Sequence, residues 1–566
     1  MGHDVDEGKR INMFKTKRTA VKQRLTRMVL LAQLGLVGLG GVSMSASDAL
    51  AQDGEGEGDG MSFGVDEVET VDPDSPAAQY MAEGKRLYEK EKYAEASLLF
   101  YKVLAQEDPG AEALVPEAEY ELGKTLFRME LYQGALTYFG RVVDMGDMHP
   151  YYLQTLRGLV LLSEEIPSDQ TLLMRMAEYS GRFPEDVPKK YRDSFAYLVG
   201  RYLYSSGEYE KALELLKFVQ PGSKYYLPAR YISGVTHVGN YDGKAAVAAF
   251  KDVLRPLTQK LEEGDLNVEE RALLEQTWLG MARVFYSTGE YNKSLKYYGL
   301  IPRKSPSWPL ALFESSWAYF QLDLANKALG NLHTLNSPFF ANFYSPEAPI
   351  LAGVIFFYNC KYSRVKYELE EFEYSYMPVG QEIESLLGKY EDPADIYTWL
   401  QEVQEGAESG DNEQLTRILA ASVNDKEIQR KIELIKDIEK ELAKIKEIPT
   451  TWQNSPLGTV LVQDSSVARE FAVSELGELV RARLERIKSE LVDLNVNRER
   501  ILFEVERAER GQIDAEMKAE MSLASNDTKE GKIEVNDEQL YWTFDGEYWK
   551  DELGFYQFLV NSSCSR

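Results

Sequence analysis

The stretch Leu122-Gly123-Lys124-Thr125-Leu126-Phe127-Arg128-Met129-Glu130-Leu131-Tyr132-Gln133-Gly134-Ala135-Leu136-Thr137-Tyr138-Phe139 decides the fold of this chain. It holds a small residue, Gly123, a second small residue twelve positions on, Ala135, and a bulky one four later, Phe139. Small residues let two antiparallel helices approach, and the bulky residue fills the groove against the next pair. The same spacing recurs as Gly84/Ala96/Phe100, Gly200/Ala212/Leu216, Gly234/Ala246/Phe250, Ala282/Ser294/Tyr298, Ser316/Ala328/Leu332 and Gly353/Val365/Leu369. A tyrosine stands three before the second small position at Tyr93, Tyr132, Tyr209, Tyr291 and Tyr362, where the turn enters the second helix.

These residues resemble the tetratricopeptide repeat family, which pairs Leu-Gly in a first helix with Ala-x-x-x-Phe in a second. Leu122-Gly123 with Ala135 and Phe139 is the best copy, and Trp278 stands at the family's tryptophan position. The step is 34 residues from Gly200 to Gly234 and from Ala282 to Ser316, the family period. It stretches to 39 from Gly84 to Gly123 and to 48 from Gly234 to Ala282, and residues 151–190 fill one repeat's space without its signature. The resemblance implies an all-α solenoid of about eight helical hairpins over 77–375, with longer helices or loops where the period stretches. It implies binding and assembly without naming a partner.

In the family, the position after the first small residue, and that three further on, face a groove that takes a peptide. Here the resemblance places Lys85, Lys124, Arg201, Arg283 and Trp317 at the first, and Tyr88, Phe127, Tyr204, Tyr286 and Phe320 at the second, with Arg128 and Tyr197 beside them. A basic and aromatic lining inside an acidic protein favours an extended segment bearing carboxylates. The plainer reading is that long cations solvate an exposed helix face.

The net charge of −28 repels nucleic acid and anionic lipid. The chain opens with the cations Lys15, Lys17, Arg18, Lys22, Arg24 and Arg27, then the apolar run Met28 to Val42, then Ala49-Leu50-Ala51, the order of a secretory signal over 1–51. Cleavage, rather than retention as an anchor, predicts a soluble periplasmic protein of charge −32. No cysteine lies near the signal's end, which argues against a lipoprotein. Residues 52–76 are an acidic, Gly-rich linker. Cys360 and Cys564 could form a disulfide in an oxidising compartment, or stay a buried thiol and a frayed one.

Past the repeats, 376–410 reads as a helical connector broken at Pro393. Within 411–530, Ile428, Ile435 and Leu442 fall seven apart, with Ile438 and Ile445 between, and Val480, Ile487, Leu494, Ile501 and Ala508 repeat the spacing. The short connection 449–462 predicts a long antiparallel coiled-coil hairpin, with an unmatched overhang as a docking site; pairing between molecules is the alternative. This arrangement resembles exported bacterial repeat proteins with a C-terminal coiled coil. The aromatic segment 531–566 predicts either a helix capped by Asp545, with Trp549, Leu553, Tyr556 and Val560 on one face, or a hairpin turned at Asp545-Gly546.

Nothing in the sequence spells a metal site, a cofactor site or a nucleophile. Glu314-Ser315 resembles the Glu-Ser of soluble lytic transglycosylases, which implies peptidoglycan chemistry at Glu314. Those enzymes continue Gly-Leu-Met-Gln, whereas Ala318-Tyr319-Phe320-Gln321 continues a repeat helix. Tyr541 to Gly546 is similar to a single aromatic cell-wall-binding repeat, though such modules use several copies. The expectation is a non-enzymatic periplasmic scaffold for envelope assembly, division, motility or secretion, binding proteins through groove and coiled coil. A peptidoglycan-associated protein or enzyme is the alternative.

Overall fold

Every second small residue of the repeating triple, Ala96, Ala135, Ala212, Ala246, Ser294, Ala328 and Val365, is 0% exposed in the computed structural model. The structure describes residues 72–105, 111–166, 170–178, 187, 189–341, 343–404, 413–519, 543–560 and 564. The expected signal and nearly all of the linker lie outside them. Helices dominate the described residues, and no strand occurs among them.

The helices pair as hairpins: α1 (Pro76–Glu89) with α2 (Tyr93–Leu104), α3 (Val115–Arg128) with α4 (Tyr132–Asp144), and α5 (Tyr152–Glu165) with α6 (Gln170–Glu178). Then follow α7 (Arg192–Ser205) with α8 (Tyr209–Leu216), α9 (Tyr226–Gly239) with α10 (Gly243–Glu263), and α11 (Val268–Ser287) with α12 (Tyr291–Tyr298). The last two pair α13 (Trp308–Gln321) with α14 (Ala325–Leu335), and α15 (Glu347–Tyr358) with α16 (Tyr362–Lys389). The signature-free block 151–190 holds α5 and α6, and the 48-residue step is taken up by the long α10 and α11.

The hairpins close by contacts the spacing foretold. A Cβ on Gly84 would fall 2.6 Å from Phe100, one on Gly123 2.6 Å from Phe139, and one on Gly234 2.5 Å from Phe250. Phe139 is clamped from its other side, where a Cβ on Gly158 would come within 2.7 Å. The turns of the seven hairpins that carry the repeating triple each hold one left-handed residue two positions before the second helix: Glu91, Glu130, Gly207, Tyr241, Gly289, Asp323 and Cys360. It lets the Glu91 and Lys92 amides reach back to the Tyr88 and Leu87 carbonyls, satisfying the end of α1. The position is conformational, and most hairpins fill it with a residue other than glycine at a cost of roughly 1 kcal/mol.

After α17 (Pro393–Gln404) and α18 (Glu413–Ser422) come α19 (Lys426–Glu447), the single turn α20 (Thr450–Gln453) and the 64-residue α21 (Pro456–Ala519). The helix α16 runs from Tyr362 to Lys389, through the expected passage from repeats to connector, and carries Pro378 in its interior.

The described chain divides into two compact units. The first comprises 72–273 and 427–476. There α19 and the start of α21 run antiparallel, linked by Lys431 to Glu475 and by Arg469 to Glu439 at 2.7 Å. The buried stripe residues Ile428, Ile435, Ile438 and Ile445 do not make a free-standing coiled coil. Leu461 lies against Gly134, the Glu441 carboxylate accepts from the Gln133 and Gly134 amides at 2.8 and 3.2 Å, and Trp452 donates to Ser97 Oγ at 2.9 Å. The arm therefore packs on the second helices of the first hairpins, and its tip is anchored. An apolar stripe specifies burial, not a partner, and the repeats' own second helices offer the larger greasy face.

The second unit comprises 274–426 and 477–564 of the described residues. Here the expected overhang is occupied by the chain itself. Leu491 approaches Gly380, Arg498 donates to the Leu369 carbonyl at 3.2 Å and pairs with Glu373, and Lys366 meets Glu509 at 2.9 Å. Gly477 admits the Pro393 carbonyl, which a Cβ there would strike at 2.1 Å.

The tail is neither of the expected forms. Residues 543–560 make a non-helical strap, broken by positive-φ Gly546 and Gly554, with Trp549 exposed while Leu553 and Val560 are buried. The strap lies on α14, and Cys564 is bonded to Cys360.

Candidate functional site

The first helices of the first unit carry the candidate site. Their expected aromatic lining turns inward: Tyr88 packs on Tyr93 at 5.3 Å, Phe127 on Tyr132 at 5.6 Å and Tyr204 on Tyr209 at 5.7 Å between ring centroids. These rings join each first helix to the turn tyrosine five residues on, which is why that tyrosine recurs. Arg128 serves the same lock, donating to Tyr93 Oη at 3.2 Å.

The expected cations are partnered. Lys85 pairs with Glu117 of the next hairpin at 2.5 Å, and Lys124 with Glu121 at 3.0 Å. Lys124 also sits 5.0 Å over the Tyr88 ring and 5.2 Å over Tyr120. Arg201 lies 5.8 Å over Tyr197. The face is thus a neutralised lattice of cations, carboxylates and rings rather than a free basic lining.

Sequence reading named Tyr88 and Tyr197 but missed the row of tyrosines they belong to, with Tyr120, Tyr151, Tyr191 and Tyr225. Tyr120 stacks on Tyr151 at 5.0 Å, and Tyr197 on Tyr225 at 5.1 Å. Glu164 accepts from Tyr225 Oη and Lys224 Nζ, both at 2.6 Å. Burial pushes the Tyr120 phenol up to about 12, and burial followed by Glu117 raises Tyr151. Tyr120, Tyr151 and, likewise raised by burial, Tyr225 are therefore neutral hydroxyls that can donate and accept near neutral pH. The available signal was position: Tyr120, Tyr197 and Tyr231 each stand three before a first small residue.

In the second unit, Arg283 and Glu314 form a lock across three helices. Arg283 donates from Nε at 3.0 Å and from Nη2 at 2.7 Å to Glu314, and Tyr298 Oη donates at 2.9 Å. Glu314 is 6% exposed. A glycosidase acid must hold a proton and face an open cleft, whereas this carboxylate is sealed and fully engaged. Trp317 is buried against Phe320, and Tyr286 against Tyr291 at 5.4 Å. Of the second unit's lining positions Tyr286, Trp317 and Phe320 are therefore core, while Arg283 is half-buried.

Among the described residues no cluster of three or more His, Cys, Asp or Glu could hold a metal, and no helix is long and apolar enough to cross a membrane.

Similar solved structures include a tetratricopeptide repeat protein from Parabacteroides merdae ATCC 43184, at 14% identity over 53% of this chain and 92% of that one, with a TM-score of 0.23. The APC/C hetero-tetramer Cut9-Hcn1 shares 11% identity over 76% and 97%, with a TM-score of 0.21. A circular tandem repeat protein with novel repeat topology shares 13% over 77% and 91%, with a TM-score of 0.12. No protein-family model and no curated protein matches the chain.

Proposed function

We propose that this chain is a protein-binding scaffold that receives an extended peptide segment on the tyrosine row of its first helices. One observation carries the reading: in the first unit the second helices α2 and α4 are occupied by the chain's own α19 to α21, whereas the row keeps Tyr88, Tyr120, Tyr151 and Tyr191 partly exposed. Phenol hydroxyls and ring faces suit backbone amides and flat side chains. Because Lys85 and Lys124 already hold carboxylates, an acidic ligand gains less from them than an unpaired basic lining would give, and binding should depend only weakly on salt.

Export to the periplasm, and work in an envelope complex, extend this reading. They are supported by the cationic-then-apolar opening of the sequence and by a disulfide of the kind that persists in oxidising compartments.

The test is photo-crosslinking in cells from a reactive residue placed at Lys124, followed by identification of the adduct. The expected result is a defined protein adduct whose yield falls at least tenfold with Tyr120→Ala and Tyr151→Ala combined. No adduct in a productive experiment, or a yield indifferent to the two tyrosines, removes the row from the account.

A further inference from the structure

The strap over α14 is seated like a ligand. Its Phe558 amide donates to the Asn326 carbonyl at 3.1 Å, its Val560 amide to Asn326 Oδ1 at 3.3 Å, and its Gly554 amide to Thr334 Oγ1 at 3.2 Å. Three of its rings enclose His333, with centroids at 4.5 Å for Phe544 and 5.0 Å for both Tyr548 and Tyr556. Phe558 meets Phe356 at 5.4 Å, and Arg303 lies 3.9 Å over the Phe555 ring. The backbones touch at Gly330, where a Cβ would sit 1.7 Å from the Tyr556 carbonyl oxygen. This is recognition of an extended segment by oxygen acceptors of α14 and by His333, around which the segment folds its own rings.

Burial alone holds the strap poorly, because Phe544, Trp549, Phe555 and Leu559 remain 45–58% exposed. Its retention leans on the Cys360–Cys564 bond, which ties the strap's C-terminal end to the turn before α16 and so raises the effective concentration of the strap at its seat. The turn position of Cys360 is filled elsewhere by Glu91, Glu130, Tyr241 and Asp323, so the hairpin does not need a cysteine there. Both cysteines are partly exposed.

The geometry points to a second docking face, on α14 and its neighbours, that takes an extended aromatic-bearing segment of a protein partner and is kept closed in cis by the strap until the Cys360–Cys564 bond is reduced. The opening step is exchange with a dithiol. Two electrons pass from the dithiol to the bridge, the dithiol becomes a disulfide, and Cys360 and Cys564 each take a proton as free thiols. The partner's chemistry is read from the strap itself: rings placed as Tyr556 and Phe558 are, with backbone amides free to reach Asn326.

The experiment uses full-length protein and a fluorescent synthetic peptide of residues 543–560. Amide exchange at Gly554, Phe558 and Val560 should rise at least tenfold in Cys564→Ser, and likewise in wild type treated with dithiothreitol, while α14 stays protected. The peptide should bind Cys564→Ser at least tenfold more tightly than oxidised wild type. Adding Gly330→Ala should abolish that binding, because the new methyl group meets strap backbone while favouring the helix. Unchanged strap protection in both opened forms, equal peptide affinity for opened and oxidised protein, or binding indifferent to Gly330→Ala each overturns the proposal.

Discussion

Gly123→Ala puts the packing logic of the hairpins to a quantitative test. Alanine in a helix interior is favoured over glycine by about 1 kcal/mol, so propensity alone predicts stabilisation. The new Cβ would lie 2.6 Å from two ring carbons of Phe139, and that ring cannot retreat because Gly158 backs it at a similar distance. Overpacking of a close-fitted core costs about 1–3 kcal/mol, and a ring held on both sides falls in the upper part, about 2–3 kcal/mol, leaving a net loss of about 1–2 kcal/mol. Amide exchange across α3 and α4 should therefore quicken roughly 5- to 30-fold. The same change at Gly353 faces the flexible end of Leu369 at 3.3 Å and should be near neutral. At Gly388 nothing lies within 4 Å, and alanine should stabilise the end of α16 by up to about 1 kcal/mol. Phe139→Leu should rescue Gly123→Ala by at least about 1 kcal/mol relative to additivity, since the two residues touch. If all three alanines stabilise alike, or if Gly123→Ala and Phe139→Leu simply add, close approach is not what the small positions are for.

Trp452→Ala should release the tip of the α19 to α21 arm, costing about 3–5 kcal/mol locally; Trp452→Phe should cost about 1 kcal/mol through loss of the bond to Ser97, and limited proteolysis between 447 and 456 should rank the variants in that order. Stability should also depend on pH with an unusual sign. Burial, joined at Glu347 by the charge of Glu490, raises Glu347, Glu368 and Glu441 to about 7, while backbone amides only partly offset it at Glu441. Their folded values exceed the unfolded one, so the protonated forms stabilise the fold fully below about pH 4.5. That contribution is lost as pH rises through about 7, at up to roughly 1.4 kcal/mol per pH unit for each group. Urea midpoints should fall from pH 5 to pH 8, and Glu347→Gln, which mimics the protonated acid, should flatten the slope; a midpoint that rises over this range refutes the assignment.

The hairpins were legible because their signal is local. Gly123, Ala135 and Phe139 lie within 17 residues and touch one another. The site was less so. Tyr88, Phe127 and Tyr204 sit at family groove positions, yet each had a tyrosine five residues away to pack on. The partner of Lys85 is Glu117, 32 residues distant on another hairpin, and no spacing rule reaches that far. Heptads announced α19 and α21 as buried without saying against what. The tail failed as a helix because Gly554 breaks the stripe drawn through Trp549, Leu553, Tyr556 and Val560.

The carboxylate of Glu441 that closes the α4 amides lies 307 residues downstream of Gly134. At ~5–20 residues per second of synthesis, the early hairpins wait roughly 15–60 s, with a greasy back uncovered, before the residues that seal them exist. A nascent molecule is therefore a client for holding chaperones throughout that interval, and truncations that remove the arm should aggregate during expression even though every early hairpin is intact.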